Sequence, residues 1–121
     1  MKLQAYTRLD RGVAVIEFDG QITLGDGSGV LRDAVTRAIT DGHKNILLDL
    51  EGVSYIDSAG LGELVGCKTM AKAHMADIRL VHLQKKIQGL LQITKLITLF
   101  DTYDDEEVAV RSFPRADSAQ G

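Results

Sequence analysis

The chain has 121 residues, 45% of them hydrophobic and 26% charged, and its formal net charge is −3. These values are typical of one globular domain and argue against a disordered chain. No cluster of lysine or arginine residues is present, so we expect no nucleic-acid partner.

The N-terminal part of the chain predicts a hairpin followed by a helix. Segments 3–8 and 13–18 alternate in polarity around Asp10-Arg11-Gly12, which indicates two antiparallel strands. Gly25-Asp26-Gly27-Ser28-Gly29 then predicts a flexible loop. We expect Asp26 or Ser28 to cap the next helix and Gly42 to end it. Its apolar residues recur at helical spacing: Leu31, Ala34, Val35, Ala38 and Ile39.

The rest of the chain alternates short apolar runs with helical patterns. Residues 46–50 and 78–83 predict buried strands, and residues 99–103 predict a last one. Helices are expected over 58–74 and 85–95, and a final helix is expected to begin near the acidic run 104–107. The expected core side of the 58–74 helix consists of Leu61, Leu64, Val65, Ala71 and Met75.

This order of elements predicts an α/β fold, with a mixed, largely parallel sheet of about five strands covered by about four helices. We assign residues 1–113 to one domain and expect 114–121 to form a loose tail. The single cysteine, Cys67, and the lack of a leader-like or membrane-spanning apolar run predict a soluble cytoplasmic protein without membrane insertion.

The start of the 58–74 helix contains residues that a helix normally avoids. Gly60 and Gly62 lie in its first turn and Gly66 follows, and each glycine costs about 1 kcal/mol relative to alanine. Such departures gather at functional sites or where another backbone comes close. Small residues also recur along one side of this helix, which predicts a docking face for a partner protein; they are Ala59, Gly62, Gly66, Thr69 and Ala73. Packing of that face within the same domain is the alternative.

Two interpretations are open for Ser58. Serine at a helix start most often caps the helix by accepting an N–H bond from the first turn. Alternatively, the Ser58 hydroxyl accepts a phosphate, which the N–H groups of the helix start would stabilise. In that second interpretation Asp57 orients the loop and adds negative charge beside the phosphate.

Two runs of residues here resemble a known family. They are Asn45-Ile46-Leu47-Leu48-Asp49-Leu50 and Asp57-Ser58-Ala59-Gly60-Leu61-Gly62, and the resemblance extends over residues 3–110. Both are similar to the anti-sigma factor antagonist branch of the STAS domains (sulfate transporter and anti-sigma factor antagonist), a bacterial family. The resemblance implies that the unphosphorylated chain binds an anti-sigma factor, itself a serine kinase, and so frees a sigma factor. Phosphorylation of Ser58 would end binding until a metal-dependent serine phosphatase removed the phosphate.

Eight residues are predicted to touch the partner. The predicted partner-binding residues are Asp57, Ser58, Ala59, Gly60, Gly62, Gly66, Thr23 and Asp26. The chain departs from the family pattern twice: Thr23 follows Gly20-Gln21-Ile22 where an aspartate is common, and Ala59 replaces a second serine. A scaffold STAS subunit, in a signalling assembly or a lipid or anion transport system, is the alternative function.

The spacing of the histidine and glycine residues argues against a metal site and against nucleotide binding. His43, His74 and His82 form no metal-binding pattern, so we expect neither a metal nor a cofactor. A triad of Ser58 with His82, and therefore an enzyme, is a remote alternative. The glycine spacing at residues 25–29 does not match a dinucleotide fingerprint, because Val30 stands where glycine or alanine is needed. Weak nucleotide binding there is therefore kept only as a minor hypothesis. Sequence leaves the oligomeric state open.

Overall fold

A computed structural model describes residues 2–114, so the predicted loose tail lies almost wholly outside the described residues. The order of strands and helices is the predicted one, with a short 3₁₀ helix added at Leu96–Leu99. The strands are β1 (Gln4–Asp10), β2 (Val13–Ile22), β3 (Asn45–Ile56), β4 (Asp77–Val81) and β5 (Thr102–Tyr103). The helices are α1 (Asp26–Thr40), α2 (Ser58–Ala73), α3 (Lys85–Ile93) and α4 (Glu106–Ser112).

One five-stranded sheet in the order β1-β2-β3-β4-β5 forms the middle of the domain. β1 is antiparallel to β2, and each later pair is parallel, which confirms the predicted mixed, largely parallel sheet. The predicted hairpin turns at Arg11 and Gly12, whose φ angles are +51° and +86°. Two consecutive left-handed residues match the right-handed twist of the strands that they join.

The helices cover the two faces of the sheet unequally. Side chains alternate between faces along a strand, so Leu48 of β3 packs with Leu31 of α1 and Leu64 of α2, while Leu47 packs with α4. Helices α1, α2 and α3 therefore share one face, and α4 packs on the other through Ala109. Among the described residues, no helix is long and apolar enough to cross a membrane.

The ends of α1 and α2 differ in several places from the predicted ones. The glycine-rich segment is not a loop, because α1 begins at Asp26; its cap position is Gly25, and neither Asp26 nor Ser28 caps it with a side chain. Gly42 ends this helix as predicted, with φ +93°. Helix α2 ends at Ala73, so Met75 lies past it at φ +61° and is 85% exposed, and its predicted core position is wrong.

Candidate functional site

Ser58 lies where two neighbouring parallel strands end. Ile22 of β2 pairs with Ile56 of β3 at the last position of each strand, and the Asp57 N–H donates to the Ile22 carbonyl at 3.2 Å. The connection from β2 leads into α1 and the one from β3 leads into α2. Both helix N-termini therefore begin at the carboxyl edge of the sheet, where α/β folds place their ligands.

Asp57 holds this edge together with its carboxylate. One oxygen, Oδ1, accepts the Gly60 N–H at 2.8 Å and caps α2. The other, Oδ2, accepts the Leu24 N–H from the β2–α1 connection at 3.0 Å. The bond from Gly60, followed by the one from Leu24, lowers the pKa of Asp57 below its ordinary value, because each favours the charged form. Asp57 thus ties the start of α2 to the neighbouring connection.

Since Asp57 supplies the cap, the Ser58 hydroxyl is free. Ser58 is the first residue of α2 and is exposed, and no group of residues 2–114 forms a hydrogen bond with its hydroxyl. The interpretation of Ser58 as the cap is therefore wrong. A free hydroxyl at a helix N-terminus is open to an incoming enzyme, and the nearby N–H groups favour an anion there.

Gly60 has an internal role that corrects the prediction that it touches a partner. Its backbone is buried against the end of β2. A Cβ atom at this position would overlap the Ile22 carbonyl oxygen and lie 2.9 Å from Cγ2 of Ile56. Glycine is required here by close approach of two backbones, which closes this residue to a docking protein.

The small-residue face of α2 is open. Gly62, Gly66, Thr69 and Ala73 are exposed, and a Cβ built on Gly62 would meet nothing within 4 Å. Packing of this face within the domain is therefore excluded for these four residues. Three other predicted contact residues are also at least partly accessible: Ala59 and Thr23 are half-buried and Asp26 is exposed. Their contact with a partner stays a prediction.

Sequence reasoning missed a cleft beside Ser58, which we call the α3 cleft. It measures about 680 Å³ and lies between α3 and the junction of β3 with α2. Ser58 is on its lining, together with Tyr55, Leu90 and Ile93. Leu24, whose N–H donates a hydrogen bond to Asp57, is 79% exposed. Ser58 therefore shares a cleft with accessible apolar residues, and no local sequence signal reveals this because α3 is remote in the chain.

His82 and Cys67, which could bind a metal or act as a nucleophile, do not line the α3 cleft. The His82 Nδ1 atom is 3.2 Å from Asp49 Oδ1 and 3.6 Å from Glu51 Oε1, because β3 and β4 pair in parallel. These three residues have donor types that suit a metal, yet the His82–Asp49 contact is already an ordinary hydrogen bond. Cys67 is buried in the core, and this burial raises the pKa of its thiol to about 12, which disfavours the reactive thiolate.

Comparison with known proteins places this geometry in a family. The family model described as STAS domain matches residues 4–109. The anti-sigma-B factor antagonist of Staphylococcus aureus strain NCTC 8325 / PS 47 is 32% identical over 78 residues, which are 64% of this chain and 72% of that protein. The protein of the same name from strain COL matches to the same extent.

Solved structures share the fold at lower sequence identity. An anti-sigma factor antagonist from Mycobacterium paratuberculosis has a TM-score of 0.80 at 19% identity, covering 92% of this chain and 93% of its own. The unphosphorylated form of the anti-sigma factor antagonist SpoIIAA has a TM-score of 0.65 at 21% identity, covering 98% of both chains. Phosphorylated SpoIIAA from Bacillus has a TM-score of 0.67 at 20% identity, covering 91% of this chain and 100% of that one.

Proposed function

Because the chain belongs to the STAS domain family, we propose that it is an anti-sigma factor antagonist controlled by phosphorylation of Ser58. The unphosphorylated chain binds an anti-sigma factor that is also a serine kinase, and so frees a sigma factor. Phosphate on Ser58 ends the complex, and a metal-dependent serine phosphatase restores it. The name of the staphylococcal relatives supports the antagonist role, and the two forms of SpoIIAA support a phosphorylated state.

The free and exposed hydroxyl of Ser58 carries this proposal. Phosphorylation there breaks no hydrogen bond within the described residues, since Asp57 and not Ser58 caps α2. The domain should therefore stay folded while gaining about −1.5 to −2 units of charge at an accessible edge.

That added charge is large enough to control binding. Two unit charges about 4 Å apart interact by about 4 kcal/mol at an effective dielectric constant of 20. A hundredfold loss of affinity needs only about 2.7 kcal/mol. A partner that places an acidic or apolar group against Ser58 would consequently be released without any movement of the backbone.

The accessible surface next to Ser58 suits a protein partner. Exposed Ile93 lines the same cleft as Ser58, and exposed Leu24 is hydrogen-bonded through its N–H to the neighbouring Asp57. Gly62 and Gly66 are exposed and allow a partner backbone to approach α2 closely. Exposed apolar groups gathered in one place are typical of interaction sites.

Phosphorylation of the co-expressed chain tests the site. We expect the chain to gain one phosphate, detected by mass spectrometry, when it is produced with the anti-sigma factor kinase encoded nearest to it. Ser58→Ala should abolish the gain, and Ser28→Ala, which alters a serine near the start of α1, should retain it. A Ser58→Ala protein that still gains a phosphate would remove Ser58 as the acceptor.

Affinity for the same kinase tests the switch. Ser58→Asp should bind at least tenfold more weakly than wild type in calorimetry. Val108→Asp adds the same charge at an exposed position of α4, on the opposite face of the sheet, and should bind like wild type. Equal affinity of all three proteins would contradict control by charge at Ser58.

A further inference from the structure

The α3 cleft has one apolar stretch and one cationic end. Its lining includes the buried side chains of Ile56, Leu61 and Ile87, together with Leu90 and Ile93. Ile93 is 82% exposed, although it is a large apolar residue next to an apolar depression. Leaving such apolar surface in water is unfavourable, so the hydrophobic effect would favour a ligand that covered it.

Gly89 keeps this cleft open. It lies in the middle of α3, where glycine is less favourable than alanine because it loses more backbone entropy on folding. A Cβ built there would meet nothing within 4 Å, and its φ is not in the left-handed region. Neither packing nor backbone conformation therefore requires glycine at this position. Gly89 is on the cleft lining, and we call the space that a side chain would occupy there the slot.

Lys85 and Lys86 make the other end of the cleft electropositive. Both are exposed residues of the first turn of α3, and neither pairs with a carboxylate among residues 2–114. The Lys86 ammonium lies 5.5 Å from the centre of the Tyr55 ring, on the cleft wall. The side chain of Gln84, at the cap position, accepts no hydrogen bond from the N–H groups of this turn. Positive side chains at a helix N-terminus oppose the helix dipole, and a bound anion would relieve that opposition.

From these observations we infer that the α3 cleft binds a linear amphipathic anion, a long-chain carboxylate. The lysines begin α3 and Ile93 ends it, so the polarity changes along about 12 Å of helix axis at 1.5 Å per residue. A carboxylate head fits the end with Lys85 and Lys86, and an unbranched chain fits the slot over Gly89. The cleft volume lies within the usual range for small-molecule sites.

A peptide segment fits the cleft less well. Its backbone N–H and C=O groups need partners when they are buried, and a mainly apolar lining does not supply them. The inference does not rest on the proposed function, because Ser58 takes no part in holding the ligand. Ile93 is shared with the surface proposed for the protein partner, so a bound ligand would compete with that partner.

Dodecanoate titrated into the ¹⁵N-labelled full chain tests the inference, below its micelle concentration. We expect saturable shifts of the amide resonances of Tyr55, Leu90 and Ile93. Dodecanol, which has no charge, should bind at least tenfold more weakly, and acetate, which has no chain, should not saturate. Dodecyl phosphate should bind no more tightly than dodecanoate, and tighter binding would overturn the carboxylate assignment.

Three variants separate the cleft from general apolar binding. Gly89→Leu fills the slot with a good helix former and should weaken dodecanoate binding at least tenfold, whereas Gly62→Leu, on α2, should leave it unchanged. Lys86→Gln should weaken dodecanoate but not dodecanol. Unchanged affinity of Gly89→Leu, or shifts scattered over the whole domain, would overturn the inference.

Sedimentation of the same proteins checks for a different occupant. We expect wild type and Gly89→Leu to have the same mass in solution, with or without dodecanoate. If Gly89→Leu dissociated a dimer, a second copy of the chain would be the occupant of the cleft and the inference would fall.

Discussion

Helices α1 and α2 begin side by side at the end of β2, and a glycine brings each one against it. A Cβ on Gly27 would lie 2.6 Å from the Gln21 carbonyl oxygen, and one on Gly60 would overlap that of Ile22. The two serines near these starts differ. The Ser28 hydroxyl donates to the Gly25 carbonyl at 3.1 Å, whereas the Ser58 hydroxyl has no partner among residues 2–114.

The two helix starts also differ in their caps. Helix α1 has Gly25 at its cap position and no side-chain cap, while α2 has the Asp57 carboxylate. A strong cap one residue earlier makes a serine hydroxyl unnecessary for the helix, and the hydroxyl becomes available for another use. Gly60 thus allows the close packing and Asp57 provides the cap. The Ser58 hydroxyl is therefore available for regulation in the proposed function.

The largest expected effect follows from adding one methyl group inside this arrangement. Gly60→Ala should lower the free energy of unfolding by about 3 kcal/mol, because overpacking against two backbones forces them apart. Gly62 lies two residues further along α2, and a Cβ there would lie in open space. Gly62→Ala should therefore raise the free energy of unfolding by about 0.5–1 kcal/mol. Urea denaturation of both variants measures the contrast, and similar values for the two would disprove the internal role of Gly60.

A smaller effect is expected from the charge of Asp57. Its pKa is lowered by N–H bonds in the folded state, so its stabilising contribution is present above the unfolded value of about 3.9 and is lost as pH falls through the folded pKa. Asp57→Asn should melt at a lower temperature than wild type at pH 7, and the difference should shrink below pH 4. Thermal melts of both proteins from pH 7 to pH 3 measure this, and a constant difference would contradict the assignment.

The smallest effect should come from Ser58 itself. Ser58→Ala should change the free energy of unfolding by less than about 0.5 kcal/mol, because no hydrogen bond is lost. Ser28→Ala loses the bond to Gly25 and should cost about 0.5–1.5 kcal/mol. Paired urea curves distinguish the two serines. A marked loss of stability in Ser58→Ala would show that its hydroxyl supports the helix after all.

Much of the fold could be predicted because it follows from local periodicity. The alternation in segments 3–8 and 13–18 gave the hairpin, and the apolar spacing after Gly25 gave α1. Errors occurred where local signals were ambiguous. The glycines after Gly25 are typical of a loop in sequence, yet they form the first turn of α1. Close packing on β2, and not flexibility, requires Gly27 there.

The amino-acid pattern alone was enough to place Ser58 at the start of a helix that follows a buried strand. It was also enough to predict the order of the elements and a largely parallel sheet. Tertiary structure alone decided that Asp57 also binds the β2–α1 connection, that Gly60 faces inward and that α3 forms a cleft beside Ser58. Each of these depends on a contact between residues far apart in sequence, such as the Asp57 bond to Leu24, 33 residues away. Periodicity reports which side of an element is apolar, but it carries no information about which distant backbone that side will meet.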